Sequence, residues 1–125
     1  MRNAPIAVLA ATTLAVALSG CGGGADTPDA LVTCVEDAGL NAETVSGDEA
    51  VGITGAVQVD LPPKNRVIAS FFEDADRAGE YSDGQSAFLS ATGGGSEVVA
   101  DTVVVGYLRP DAKDEMETVA GCVEG

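Results

Sequence analysis

The residues that could carry chemistry in this chain are three cysteines, 20 carboxylates and a handful of serines. Its 125 residues include no histidine and no tryptophan. The missing imidazole excludes a Ser-His-Asp triad, a Cys-His pair and a histidine-ligated zinc site. Any chemistry must therefore come from carboxylates, hydroxyls or thiols, and the length leaves room for a single domain.

One group of carboxylates is spaced like calcium ligands. Asp74 and Asp76 stand at positions 1 and 3 of a calcium loop and Gly79 at position 6, but positions 5 and 12 are Ala78 and Gln85. Without a bidentate carboxylate at position 12 the coordination sphere is not closed. The segment is therefore interpreted as the acidic start of a helix, and no metal site is predicted.

The remaining polar residues form no catalytic motif. Residues 93–96 precede a strand and lack a following Lys-Ser/Thr pair, so they predict a turn and not a phosphate loop. Tyr81 and Tyr107 are interpreted as core residues and not as interface contacts. Four serines have no base beside them and are interpreted as surface or strand residues: Ser70, Ser82, Ser86 and Ser90.

The N-terminus is typical of a secretory signal. Arg2 supplies one positive charge, and residues 4–18 form an apolar run without any charge. A membrane-spanning helix needs roughly 20 residues, and no basic stop-transfer segment follows this shorter run. The segment therefore predicts targeting and not a persistent membrane span.

The apolar run ends in four residues that resemble the lipobox of bacterial lipoproteins: Leu18, Ser19, Gly20 and Cys21. The resemblance implies that signal peptidase II cleaves before Cys21. It also implies that the Cys21 sulfur receives a diacylglycerol, often with acylation of the new N-terminus, and no other cofactor is expected. Two or more acyl chains hold a small domain stably on a bilayer. The alternatives are an ordinary secretory signal with an accidental cysteine, or a buried N-terminal helix.

This resemblance divides the chain into three parts. Residues 1–20 would be a cleaved signal peptide, 21–27 a flexible lipidated tether and 28–125 a single acidic domain. Loss of Arg2 leaves five basic residues against 20 acidic ones, so the mature net charge would be −15. Such a charge repels nucleic acid. The expected partners are the bilayer and an unknown envelope protein or ligand.

The two other cysteines are predicted to form a disulfide. With Cys21 committed to lipid, Cys34 and Cys122 remain, and the implied compartment outside the cytoplasmic membrane is oxidising. Two buried free thiols or a metal pair are the alternatives. A bond across this separation stabilises a domain by about 4–5 kcal/mol in the chain-entropy model.

The domain is predicted to begin and end with helices. Thr27 suits the N-cap, Pro28 the first helical position and Gly39 the position after the C-cap. The apolar residues that follow repeat at helical spacing, which places Cys34 towards the core. Near the other terminus Asp111 is expected to cap a second helix that carries Cys122.

Between these helices the apolar period changes from 3.6 to 2. Residues 57–61 alternate, and residues 66–72 follow a Pro-Pro turn, which predicts an antiparallel hairpin. Residues 73–81 predict a short helix, residues 98–108 one or two strands, and residues 42–45 a weak first strand. The order α-β-β-β-α-β-β-α predicts an α+β fold, a small two-layer sandwich of an antiparallel sheet and disulfide-joined terminal helices.

The leading functional hypothesis is a non-enzymatic binding or accessory module of the cell envelope. It would be lipid-anchored on the outer face of a bacterial cell membrane, either the cytoplasmic membrane or the outer membrane. The rivals are a small carboxylate-dependent hydrolase of envelope polymers and a cation-binding surface domain. A hydrolase requires two carboxylates that converge in a pocket.

Overall fold

The computed structural model describes residues 24–125. The predicted signal peptide and the first three residues of the predicted tether lie outside them. Short 3₁₀ turns occupy Glu49–Val51, Ser90–Thr92 and Pro110–Ala112. The helices and strands, in chain order, are α1 (Pro28–Asp37), β1 (Ala42–Asp48), β2 (Ile53–Leu61), β3 (Asn65–Phe72), α2 (Ala75–Leu89), β4 (Gly95–Val99), β5 (Val103–Tyr107) and α3 (Lys113–Glu124).

The five strands form one antiparallel sheet in the order β1-β2-β3-β5-β4. β2 and β3 are joined by the predicted Pro-Pro hairpin, in which Leu61 pairs with Asn65. Residues 98–108 are predicted to form one or two strands, and the structure has two, because residues 100–102 turn the chain between β4 and β5. The predicted α+β fold and its order of elements are confirmed.

The main core lies between one face of the sheet and the two terminal helices. Leu31 and Val35 of α1 and Val119 of α3 are fully buried there. They pack on strand residues that alternate along the sheet, namely Val57, Val59, Val67, Ala69, Val103 and Val105. The strands have an apolar period of 2 and the helices one of 3.6, and the apolar faces that result pack together in one core.

α2 packs on the opposite face of the sheet. Its Ala78 is buried against Phe72 and Val104, which alternate with the strand residues of the main core. The Tyr81 ring lies beside Phe72 with 5.2 Å between ring centroids. The predicted layers of sheet and terminal helices are therefore present, and α2 adds partial cover to the second face.

Two helix boundaries differ in detail from those expected. α2 is 15 residues long and not short, because Ser82 and Leu89 continue its buried side past the acidic start. The prediction that Asp111 caps the last helix is wrong. Residues Pro110–Ala112 form a 3₁₀ turn first, α3 begins at Lys113, and no side chain caps it.

The sheet has two ends that differ in what they carry. We call the end that holds Gly24 the proximal end. It includes the turns at Glu49–Val51 and 100–102 and the end of β3, whose Phe72 N–H donates to the Thr102 carbonyl at 2.8 Å. α1 begins at this end, because Pro28 lies beside Gly55. We call the opposite end, with the 62–64 turn and Pro110–Ala112, the distal end.

Candidate functional site

The predicted disulfide joins the two terminal helices. Cys34 of α1 and Cys122 of α3 are bonded, with their Cα atoms 5.9 Å apart and 88 residues of chain between them. Both residues are half-buried, and Cys122 packs against the main core. The prediction is confirmed. The lipobox residues Leu18, Ser19, Gly20 and Cys21 lie outside the described residues.

The end of the predicted tether is held by the domain. The Ala25 N–H donates to the Cys122 carbonyl at 2.8 Å, and Ala25 is only 9% exposed. A Cβ on Gly24 would overlap the Val123 carbonyl oxygen, so only glycine fits there without a shift. The expectation of a flexible tether through residue 27 therefore fails at these residues, because a small apolar side chain and a free backbone donor find partners on α3. We call the contact of Gly24 and Ala25 with α3 the N-terminal clasp.

A solvent-open groove of about 650 Å³ lies at the distal end. Its apolar side is formed by Leu61, Pro62 and Pro63. Its polar side is formed by Lys64, Asn65, Arg109, Asp111 and Glu115. We call it the distal groove; it combines apolar surface with both signs of charge.

Asn65 organises the backbone of the distal groove. Its Oδ1 accepts from the N–H groups of Arg66 and Arg109, each at 3.0 Å. Its Nδ2 donates to Asp111 Oδ1 at 2.6 Å, which explains why that carboxylate is not free to cap α3. The Arg109 Nε donates to the Lys64 carbonyl at 3.0 Å. One amide thus joins the β2–β3 turn to the segment before α3.

Basic residues concentrate at this end of an otherwise acidic domain. Lys64, Arg66, Arg109 and Lys113 lie on the turn or beside it, and Arg77 lies at the start of α2. Within residues 24–125 the one ion pair joins Arg66 to Asp60 at 3.4 Å. Both of its side chains are about half exposed, and such surface pairs contribute about 0–1 kcal/mol.

Two depressions are each lined by two carboxylates. Asp111 and Glu115 line the distal groove, and Glu49 and Glu73 line a depression of about 520 Å³ at the proximal end. Both are open to solvent. Among the described residues no three acidic or cysteine side chains are grouped as metal ligands. Asp74 accepts from the Asp76 N–H at 2.9 Å and so caps α2, which confirms the interpretation of this segment as a helix start.

Three serines form a hydrogen-bonded cluster that the sequence did not indicate. The Ser96 Oγ lies 3.0 Å from the hydroxyls of both Ser82 and Ser86, and it donates to the Ser82 carbonyl at 2.9 Å. Ser82 is buried, as is Ser70. The interpretation of these as surface or strand residues is therefore wrong for Ser82, because α2 turns it onto β4. No basic side chain takes part in the cluster's hydrogen bonds, which hold helix to strand.

The largest exposed apolar side chain of the described domain is Phe88 on α2, at 78% exposure. It borders a small apolar groove of about 210 Å³ with Ile68, Leu89 and Tyr107. Between residues 24 and 125, no helix combines the length and the apolar character needed to cross a bilayer.

No protein-family model, curated protein or solved structure matches the chain. Its function must therefore be inferred from its own residues.

Proposed function

We propose that the protein is a lipid-anchored module on the outer face of a bacterial cell membrane, and that it acts by binding and not by catalysis. The observation that carries the proposal is the lipobox-like sequence from Leu18 to Cys21, placed directly after a charged start and an apolar run. Acylation at Cys21 would hold the domain at the bilayer.

The distribution of the cysteines supports this proposal. Two of the three are consumed by the Cys34–Cys122 bond inside the domain. Cys21 lies four residues before Ala25, the first buried residue among those that the structure describes. Disulfides persist in oxidising compartments, so a bond between the terminal helices agrees with a domain outside the cytoplasm.

The binding role draws support from the surface of the domain. The distal groove offers apolar surface beside hydrogen-bonded polar groups. The clustered serines Ser82, Ser86 and Ser96 make hydrogen bonds to each other and not to a general base. The excess of 20 acidic over six basic residues disfavours binding to nucleic acid. An envelope protein or ligand is the partner that these features favour.

Replacement of the anchor residue tests the proposal. In a bacterial host that lipidates proteins, Cys21→Ala is expected to move the protein from the membrane to the soluble extracytoplasmic fraction and to abolish its cellular role. The double variant Cys34→Ala/Cys122→Ala is the matched control, and any of it that folds is expected to stay in the membrane fraction. Membrane association of Cys21→Ala equal to that of the wild type would contradict the proposal.

A carboxylate-dependent hydrolase is the second candidate, because Asp111 and Glu115 share the distal groove. A hydrolase is expected to release soluble fragments from envelope polymers, and to lose this activity in Glu115→Gln but not in Glu117→Gln, which lies two residues farther along α3 and does not line the groove. If the module only binds, the wild type is expected to release no fragments.

A further inference from the structure

We propose that the domain stands on the membrane in one orientation, with its proximal end against the lipid headgroups and its distal groove directed away from them. The inference rests on the proposed anchor at Cys21. It deepens that proposal by assigning the lipid-facing surface and the surface left open to partners.

The N-terminal clasp shortens the connection between lipid and domain. Ala25 is hydrogen-bonded to Cys122 and buried, so the chain is attached to the fold from this residue onward. From Cys21 to Ala25 the chain spans at most about 14 Å even when fully extended, at about 3.5 Å per residue. A connection of this length is too short to let the domain rotate by 180° and place its distal end against the lipid.

The clasp also fixes which end is near the bilayer. It lies on the C-terminal turn of α3, and α1 begins three residues later beside Gly55, close to the start of β2. The Glu49–Val51 turn is at this same end. β2 then runs nine residues to Leu61, which places the distal turn roughly 25 Å farther away at 3.3 Å per residue.

Charge does not favour this orientation on an anionic membrane, so it is not what would set it. Four of the five basic residues of the domain lie at the distal end, where they would be clear of the membrane. The proximal end carries carboxylates, including Glu49, Glu73 and Asp101. Those carboxylates give no attraction to anionic headgroups, so the short connection, and not charge, would hold the proximal end down.

Two matched alanine positions test the orientation in the full lipidated protein. Ala50 in the proximal turn and Ala91 near the distal end are both exposed and both lie in 3₁₀ turns. Each is replaced singly by cysteine, labelled with a fluorescent donor, and placed in phosphatidylcholine vesicles with acceptor-labelled headgroups. Energy transfer is expected to be at least about twofold stronger from position 50, because the sheet separates the two positions by roughly 25 Å.

The clasp is tested in the same assay by a second pair of variants. Gly24→Ala places a Cβ against the Val123 carbonyl and is expected to release the segment, which reduces the difference between the two positions. Gly121→Ala, whose Cβ would meet nothing within 4 Å, is the control and is expected to keep the difference. The melting temperature of each variant confirms that it is folded.

The outcomes separate the two proposals. Membrane-bound protein with equal transfer from positions 50 and 91, or with stronger transfer from position 91, would overturn the orientation and leave the anchor standing. Protein that carries no lipid and does not bind the vesicles would overturn the anchor, and the orientation with it.

Discussion

Asn65 is the side chain that joins the two segments of the distal end. Its partners Arg109 and Asp111 lie 44 and 46 residues away along the chain. Nothing in the local sequence marks this asparagine as different from another turn residue, because the partners become neighbours only when β5 pairs with β3. This residue of the candidate site could therefore not be predicted from sequence.

Asn65→Ala is expected to lower the free energy of unfolding by about 2–3 kcal/mol, because three hydrogen bonds of about 1 kcal/mol each are lost. The measurement is a urea titration followed by circular dichroism. Asn41→Ala is the matched control, since that exposed side chain makes no hydrogen bond within the described residues, and it is expected to change stability by less than about 0.5 kcal/mol. Equal losses in the two variants would refute the role assigned to Asn65.

The elements follow local patterns closely in places and depart from them in others. The Thr27 hydroxyl accepts from the Ala30 N–H at 3.2 Å, and Gly39 has a φ of 92°, as the capping residues predict. The length of α2 was not predictable, because Gly79 and Gly84 weaken the helical signal. Contacts with β4 and β5 stabilise that helix, and such tertiary contacts are absent from a local pattern.

One glycine within α2 and one just after it are expected to respond in opposite directions to alanine. In α2, Gly84→Ala places a Cβ in open space and is expected to raise stability by about 0.5–1 kcal/mol. Between α2 and β4, Gly94→Ala places a Cβ against the Tyr107 carbonyl oxygen and is expected to lower stability by about 1–3 kcal/mol. Thermal unfolding of both variants measures this, and a loss of stability in Gly84→Ala would contradict the exposure of that position on α2.

The disulfide joins the first element to the last. Cys34→Ala/Cys122→Ala is expected to lower the free energy of unfolding by about 4–5 kcal/mol in the chain-entropy model for a loop of this length. Chemical denaturation of the oxidised wild type, the reduced wild type and the double variant provides the measurement. The reduced wild type and the double variant are expected to have the same free energy of unfolding. If their free energies of unfolding lie within about 1 kcal/mol of that of the oxidised wild type, the contribution assigned to the bond is contradicted.

The two ends of the whole molecule carry different residues. The N-terminal clasp lies at the proximal end and the basic residues concentrate at the distal end. From sequence, the number and order of elements could be predicted because periodicity is a local signal. The pairing of Cys34 with Cys122 could be predicted because the lipobox resemblance assigns Cys21 to lipid and leaves two cysteines in an oxidising compartment. The position of Ala25 on α3 could not, because residues 22–27 are small and polar and resemble a tether.

The intact mass of the protein extracted from the membrane of a lipidating bacterial host tests the proposed anchor most directly. The sample is treated with a thiol alkylating reagent, with and without prior reduction. We expect a chain that begins at Cys21, is heavier by its acyl groups and gains two alkyl groups only after reduction. A lipid-free mass, or a chain that still carries residues 1–20, would contradict the lipid-anchored module.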